Sequence, residues 1–358
     1  MDRAVEGRLA RLRSKLAEKR LDVVLVTNMD NVRYLTGFTG STATAIVSKS
    51  DAVLLVDSRY TLQASEQCRR FQVREYKDSV LPAAACVVKE MKTRRLAFEA
   101  DHMSYADHRK LRTLLSVRYY GALRFVDDLR LVKDSQEVAA IRQAVAISDK
   151  CFEDVIGRIK PGMSERELAI DMDFCMRRHG ADKPAFDTIV AAGPHAAFPH
   201  AQPSDRILEA GQLVKMDFGA EYGQYPSDLT RTVCLGKADA KQREVYNTVL
   251  QAQLKAIDVV RPGAAGKDVD AVARDHIAAA GYGEYFGHGL GHSLGRGVHD
   301  GPGFSRTSTI ILEPGMVMTV EPGIYIPDWG GVRIEDDVLV TESGCEILTG
   351  ATKELLEL

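Results

Sequence analysis

Nowhere does the sequence contain an apolar run long enough to cross a bilayer, which argues against a membrane-spanning protein. Residues Met1 to Arg20 are basic but carry no apolar core, so they do not read as a secretory signal. Leu9, Leu12 and Leu16 recur there at helical spacing and suit the buried stripe of a surface helix. None of the six cysteines, Cys68, Cys86, Cys151, Cys175, Cys234 and Cys345, sits in a CxxC pair, which excludes a zinc ribbon and a dithiol redox motif. Reduced, buried thiols in a cytoplasmic protein are the expectation. A net charge of −3 gives no electrostatic basis for binding nucleic acid or an anionic membrane. No segment is of low complexity.

What is present is globular. Hydrophobic residues make up 45% and charged residues 27%, and 358 residues fit one oversized domain or two ordinary ones. Residues 1–127 alternate short apolar strands (Asp22 to Val26, Ala43 to Val47, Ala52 to Val56, Arg95 to Phe98) with amphipathic stretches such as Ala83 to Met91 and Tyr105 to Leu115. That alternation predicts an α/β domain. Asp134-Ser135-Gln136-Glu137 has capping-box spacing and opens a long helix from about Gln136 to Ile159. The boundary is therefore placed near Asp128, giving a second domain over 128–358. There Ser164 to Glu167 caps another helix, Leu213 to Val233 reads as a hairpin, and Lys241 to Val260 and Val269 to Ala280 read as helices. Strands close the chain around Val317 to Glu321 and Val332 to Val340, so the second domain is expected to be α+β with an antiparallel sheet.

This second domain repeats itself. Leu208-Glu209-Ala210-Gly211-Gln212-Leu213-Val214-Lys215-Met216-Asp217 lies on Leu312-Glu313-Pro314-Gly315-Met316-Val317-Met318-Thr319-Val320-Glu321 without a gap. Upstream, Lys160-Pro161-Gly162 matches Arg261-Pro262-Gly263, and Gly180 matches Gly281, each closing a helix. Each copy ends on an acid, Asp217 or Glu321, and a second acid follows each, Asp228 or Glu335. Carboxylates in such apolar strands repel one another and are costly to bury without cations. Four of them from two similar halves suggest a cage for divalent metal ions. Strand alternation would place Arg333 on the face of Glu335, where it could brace that acid. A glycine-dense stretch adds imidazoles at His288, His292 and His299. One nitrogen among many oxygens suits a pair of ions such as Mn²⁺ or Co²⁺, which can share a hydroxide and polarise an amide carbonyl.

The same residues carry a resemblance. Phe186-Asp187-Thr188-Ile189-Val190-Ala191-Ala192-Gly193, Met216-Asp217-Phe218-Gly219-Ala220, Ser227-Asp228-Leu229-Thr230-Arg231-Thr232, His288-Gly289-Leu290-Gly291-His292, Val320-Glu321-Pro322-Gly323 and Val332-Arg333-Ile334-Glu335-Asp336-Asp337 resemble the pita-bread metallopeptidases, and within them the Xaa-Pro peptidases (aminopeptidase P and prolidase). Tyr34 to Ser41 and Val56 to Tyr60 resemble the creatinase-like N-terminal domain of that branch.

The resemblance implies that Asp217, Asp228, His292, Glu321 and Glu335 are the ligands of two divalent ions, with manganese expected first and cobalt or zinc as alternatives. Asp228 and Glu335 would bridge both ions, and Glu321 would also serve as the base for the attacking water. His200 would contact substrate near the scissile bond, His288 and His299 would bind the carbonyl or the tetrahedral intermediate, and Arg333 would support them. Asp300 stands where the family usually has Glu, and Lys215, two residues before Asp217, is expected on the same strand face unless the strand's twist turns it away. The expected activity is hydrolysis of the Xaa-Pro bond at peptide N-termini, of the aminopeptidase P type. The alternatives are a prolidase confined to dipeptides and a metal-free binding module on the same fold. The resemblance also implies a homodimer in which one subunit's N-terminal domain borders the other's cleft.

Overall fold

The computed structural model describes residues 2–358, and the chain divides into two compact units, Met1–Arg130 and Leu131–Leu358. Among the described residues no helix is long and apolar enough to cross a membrane.

The first unit is built on a six-stranded sheet. Its strands are β1 (Val23–Val26), β2 (Thr44–Ser48), β3 (Ala52–Val56), β4 (Gln72–Glu75), β5 (Arg95–Glu99) and β6 (Arg118–Ala122), in the order β4-β3-β2-β1-β5-β6. The β1–β2 and β2–β3 pairs are antiparallel and the other pairs parallel. Its helices are α1 (Asp2–Glu18), α2 (Met29–Thr36), α3 (Thr61–Gln67), α4 (Val80–Glu90) and α5 (Tyr105–Leu114). Both faces of the sheet are covered, which is why β1 reads as a continuous apolar run. Val24 and Val26 pack with Leu9, Leu12 and Leu16 of α1, while Val23 and Leu25 pack with Ala84, Val87 and Val88 of α4. Strands β4 and β6 escaped the sequence reading because they lie at the sheet edges, partly exposed and without a buried apolar run.

After α6 (Asp127–Leu131), the second unit begins with α7 (Ser135–Ile156) and α8 (Glu165–Arg178). Both start with the capping boxes that the sequence indicates, Asp134 with Glu137 and Ser164 with Glu167. Small strands β7 (Lys183–Pro184), β10 (Ala220–Tyr222) and β11 (Tyr225–Pro226) form one sheet, and β8 (Ile189–Ala192), β9 (Leu213–Phe218) and β12 (Leu229–Cys234) form another in the order β12-β9-β8. The second half supplies α9 (Ala240–Asp258) and α10 (Gly266–Ala279), the sheet β13-β16-β17 (Val317–Val320, Asp336–Val340, Cys345–Ile347) and the hairpin of β14 (Gly323–Ile326) and β15 (Gly330–Arg333). The strand expected over Val332 to Val340 is therefore broken: β15 stops at Arg333 and β16 starts at Asp336.

The internal repeat has a matching backbone. Gly162 and Gly263 take φ of 95° and 82°, where glycine alone is unstrained, and Gly180 and Gly281 take 100° and 85°. Gly162 donates its N–H to the Leu208 carbonyl at 2.9 Å, and Gly263 donates to the Leu312 carbonyl at 2.8 Å. Each Pro-Gly turn is thus tied to the start of the strand segment that ends on an acid. In each half two antiparallel strands, β9 with β12 and β13 with β16, then carry the acids at their ends.

All six cysteines are free, but Cys345 is half-buried and Cys86 exposed, and Cys86 departs most from the expected burial. It lies on the solvent side of α4, off the face that buries Ala84, Ala85, Val87 and Val88. Burial raises the thiol of Cys68 to about 11 and raises those of Cys151 and Cys175 as well, which suppresses their thiolates. In the native protein Cys86 is expected to react first with a soluble thiol reagent, and Cys86→Ser to remove that rapid phase. A rapid phase surviving in Cys86→Ser would contradict the placement of α4.

Candidate metal centre and cleft

Each acid is placed by hydrogen bonds that leave part of its carboxylate free. Asp217 faces Thr230 across the β9–β12 pair. Asp228, just before β12, donates its backbone N–H to Asp337 Oδ2 at 3.0 Å. Glu335 sits in the break before β16, its N–H bonded to the Thr230 carbonyl at 3.1 Å and its Oε2 accepting from Thr230 Oγ1 at 2.6 Å. Glu321 follows β13, donates its N–H to the Leu290 carbonyl at 2.8 Å and accepts from Thr319 Oγ1 at 3.1 Å.

The histidine-bearing segment is pinned alongside β13. His292 N–H donates to Thr319 Oγ1 and Thr319 N–H to the His292 carbonyl, each at 2.9 Å. Gly291 permits this approach, because a Cβ there would stand 2.0 Å from the Thr319 carbonyl oxygen. His292 Nε2 then lies 3.4 Å from Asp228 Oδ2 and 3.3 Å from Glu321 Oε1. Donor atoms of Asp228, His292 and Glu335 all fall within 4.8 Å of one another.

His200, Asp217, Asp228, His288, His292, His299, Glu321, Arg333 and Glu335 line one cleft of about 510 Å³, so the residues given a ligand, substrate-contact or supporting role in the sequence come to the same place. The ring of His299 packs against that of His292 with centroids 4.3 Å apart. The His288 ring is committed on both sides. Its Nδ1–H donates to the Gly289 carbonyl at 2.7 Å, and its Nε2 accepts from Tyr325 Oη at 3.0 Å. Burial and the Arg333 charge push His288 down to about 4, so it is a neutral ring with both nitrogens used. Burial, with the neighbouring His292 and His200, also lowers His299.

Arg333 corrects the expectation that it braces Glu335. Its Nη2 bonds Asp217 Oδ2, its Nη1 donates to Tyr325 Oη at 2.8 Å and the Pro199 carbonyl at 3.2 Å, and its Nε donates to Thr230 Oγ1 at 2.9 Å. Among the described residues no hydrogen bond joins it to Glu335 directly; both bond the Thr230 hydroxyl, and its charge favours the ionised Glu335. The break between β15 and β16 removes the strict alternation on which the expectation rested. Thr230 and Asp337 fall inside the motifs that carry the resemblance but have no role assigned there, and Tyr325 lies outside them; they bond Glu335, the Asp228 backbone and Arg333 respectively. Asp336 and Asp337 are fully buried, Asp336 pairing with Arg231 at 2.7 Å and Lys353 at 2.7 Å. Asp300 accepts from the Arg296 N–H at 3.2 Å and so shapes the loop before His299. Lys215 keeps the Asp217 side of the strand and is wholly buried, where burial and Arg333 pull its amine down to about 6.

The donor set fits divalent cations. Among the described residues Asp217 Oδ1 and Glu335 Oε1 are buried without a hydrogen-bond partner, an expensive state for oxygens that a cation would satisfy. Burial, with the charges of the neighbouring acids, raises Asp228 and Glu335 well above the usual carboxylate range. Burial also raises Glu321, against the opposing charges of His292 and Arg333. Carboxylate oxygens with one imidazole and no thiol form the ligand chemistry of hard to borderline ions.

Comparison with known proteins bears on this site. The sequence pattern of metallopeptidase family M24 matches residues 139–342, and that of the creatinase/prolidase N-terminal domain matches residues 8–132. A Pyrococcus furiosus Xaa-Pro dipeptidase is 37% identical over 355 residues, spanning 98% of this chain and 100% of the relative. The solved Xaa-Pro dipeptidase of Bacillus anthracis is 40% identical with a TM-score of 0.96, covering 99% of this chain and 100% of that one. The X-Pro aminopeptidase of Thermotoga maritima is 38% identical with a TM-score of 0.89, covering 94% and 98%. The chain belongs to metallopeptidase family M24, with a creatinase-type N-terminal domain preceding a pita-bread domain.

Proposed function

We propose that the chain is a metal-dependent dipeptidase that hydrolyses the Xaa-Pro bond of dipeptides. The observation that carries this is the gathering of four acids and His292 in one cleft, with buried carboxylate oxygens left unpartnered, in a chain similar end to end to Xaa-Pro dipeptidases. The aminopeptidase P activity expected from the sequence becomes the second reading, favoured by the likeness to the Thermotoga maritima X-Pro aminopeptidase. The complete donor set speaks against a metal-free binding module.

Asp217, Asp228, His292, Glu321 and Glu335 would hold two divalent ions, with manganese the proposed species. When bound, such ions polarise the scissile carbonyl and acidify a water. Arg333 holds Asp217 in one orientation, and Thr230 does the same for Glu335. Glu321 takes the proton from the attacking water and passes it to the proline nitrogen, which must be protonated to leave. His200 and His299 hold the peptide at the scissile bond. His288 acts as a fixed wall, because its nitrogens are already engaged by Gly289 and Tyr325. Apolar Phe186, Ile189 and Val298 line the same cleft and offer a surface for the proline ring.

Manganese-loaded protein is expected to cleave Ala-Pro at least about tenfold more efficiently than Ala-Pro-Ala, a difference of about 1.4 kcal/mol in transition-state binding. A preference for the tripeptide would give the reaction to the second reading, and inertness towards both would end the peptidase proposal. The raised acids also set a pH dependence. Where a folded-state carboxylate pKa exceeds the unfolded one, the folded form binds more protons, so stability falls as pH rises through the raised value. Chelator-treated protein should therefore melt at a falling temperature as pH rises above the ordinary carboxylate range, and added Mn²⁺ should restore more at the upper end of that rise than at its start. Equal stabilisation by Mn²⁺ at both ends would contradict the assignment of these acids.

A further inference from the structure

Lys215 has no part in the chemistry just described, yet it is wholly buried two residues from Asp217. Its strand neighbours, Ala191 on β8 and Thr232 on β12, pair with it in regular register, so the strand itself does not require a cation there. A buried amine costs free energy unless its N–H groups are met. Lys215 Nζ lies 2.7 Å from the Phe198 carbonyl oxygen, 3.2 Å from that of Pro199 and 3.3 Å from that of Ala196. It also stands 5.0 Å from the centroid of the Tyr325 ring. Its partners are backbone carbonyls and a ring face.

Those carbonyls belong to one short segment. After β8 the chain makes a 3₁₀ turn, Gly193–Ala197, and then runs through Phe198 and Pro199 to His200. This segment lies outside any strand, so its carbonyls lack ladder partners. Pro199 immediately precedes His200, and its carbonyl takes a second donor, Arg333 Nη1 at 3.2 Å. Lys215 on β9 and Arg333 on β15 therefore clasp the same peptide group from two strands, and Arg333 is itself bonded to Asp217. The backbone just before His200 is thus tied directly to the strands that present the acids.

We propose that Lys215 is a positioning residue: by capping the Ala196, Phe198 and Pro199 carbonyls it sets where His200 stands in the cleft. The capping needs N–H groups, of which an ammonium has three and a neutral amine two, so it persists in either protonation state. This rests on the reading of His200 as a substrate contact in an Xaa-Pro peptidase. A misplacement of about 1 Å at a reacting centre can lower turnover by about 100-fold. Lys215→Met keeps the length of the side chain and removes every donor.

The test compares wild type, Lys215→Met, Lys215→Arg, His200→Ala and the double variant Lys215→Met/His200→Ala, each manganese-loaded, for kcat and KM on Ala-Pro, for bound metal and for thermal stability. Lys215→Met is expected to lose about 100-fold in kcat with its metal content intact, and Lys215→Arg to recover part of that loss. Added to His200→Ala, Lys215→Met should cost less than about threefold, since both act through one group. Full additivity, wild-type kcat in Lys215→Met, or a loss of activity that follows a loss of metal would each overturn the proposal. If Lys215→Met does not fold, Lys215→Leu, which also carries no donor, takes its place in the same cycle. A crystal structure of the folded variant serves as the arm independent of activity. A displaced 196–200 segment supports the role and an unmoved one overturns it, even if the wild type proves inert on Xaa-Pro peptides and the proposed function falls.

Discussion

Four acids line one cleft at close range, and the second unit is organised around that constraint. Two like charges about 4 Å apart repel by about 4 kcal/mol even at an effective dielectric of about 20. Among the described residues, Asp217 is the one of these four acids with a lysine or arginine bonded to it, Arg333. Glu335 receives a hydroxyl from Thr230, while Asp228 lies near the His292 ring and its backbone is held by Asp337. Such an arrangement is stable when the acids are protonated or when cations lie among them. The raised proton affinity of Asp228 and Glu335 expresses the first state, and the unpartnered oxygens mark where the second would act.

The internal repeat explains how one chain delivers acids to one point from two sides. Each half uses a Pro-Gly turn to tether the beginning of a strand segment and then ends the strand on a carboxylate. The halves are joined by polar contacts at their centre. Glu335 N–H bonds the Thr230 carbonyl, and buried Arg231 reaches the Glu335 and Ala351 carbonyls and the Asp336 carboxylate. Where the halves differ, function enters: the first supplies the segment with His200, and the second supplies the glycine-rich stretch with His288, His292 and His299.

The sequence shows the acids because repetition and a shared ending make them visible, and His292 because it closes a run in which two glycines separate it from His288. Capping boxes mark the starts of α7 and α8 for the same reason: they are local chemistry at fixed spacing. What stays hidden is non-local. The partner of Arg333 depends on where β15 ends, a break that no pattern in Val332 to Val340 marks. Tyr325, Thr230 and Asp337 become meaningful only when strands distant in sequence meet. Lys215 looks anomalous in an apolar strand until the carbonyls before His200 fold over it. The edge strands β4 and β6 were missed because exposure removes the apolar run that reveals a buried strand.

The central claim, that these acids exist to hold cations, is tested most directly by counting ions. Elemental analysis of folded, manganese-loaded protein should find two ions per chain, and Asp228→Asn or Glu335→Gln should bring the content to one or fewer without unfolding the protein. A folded wild type that takes up no manganese, or an Asp228→Asn variant that still holds two ions, would contradict the account.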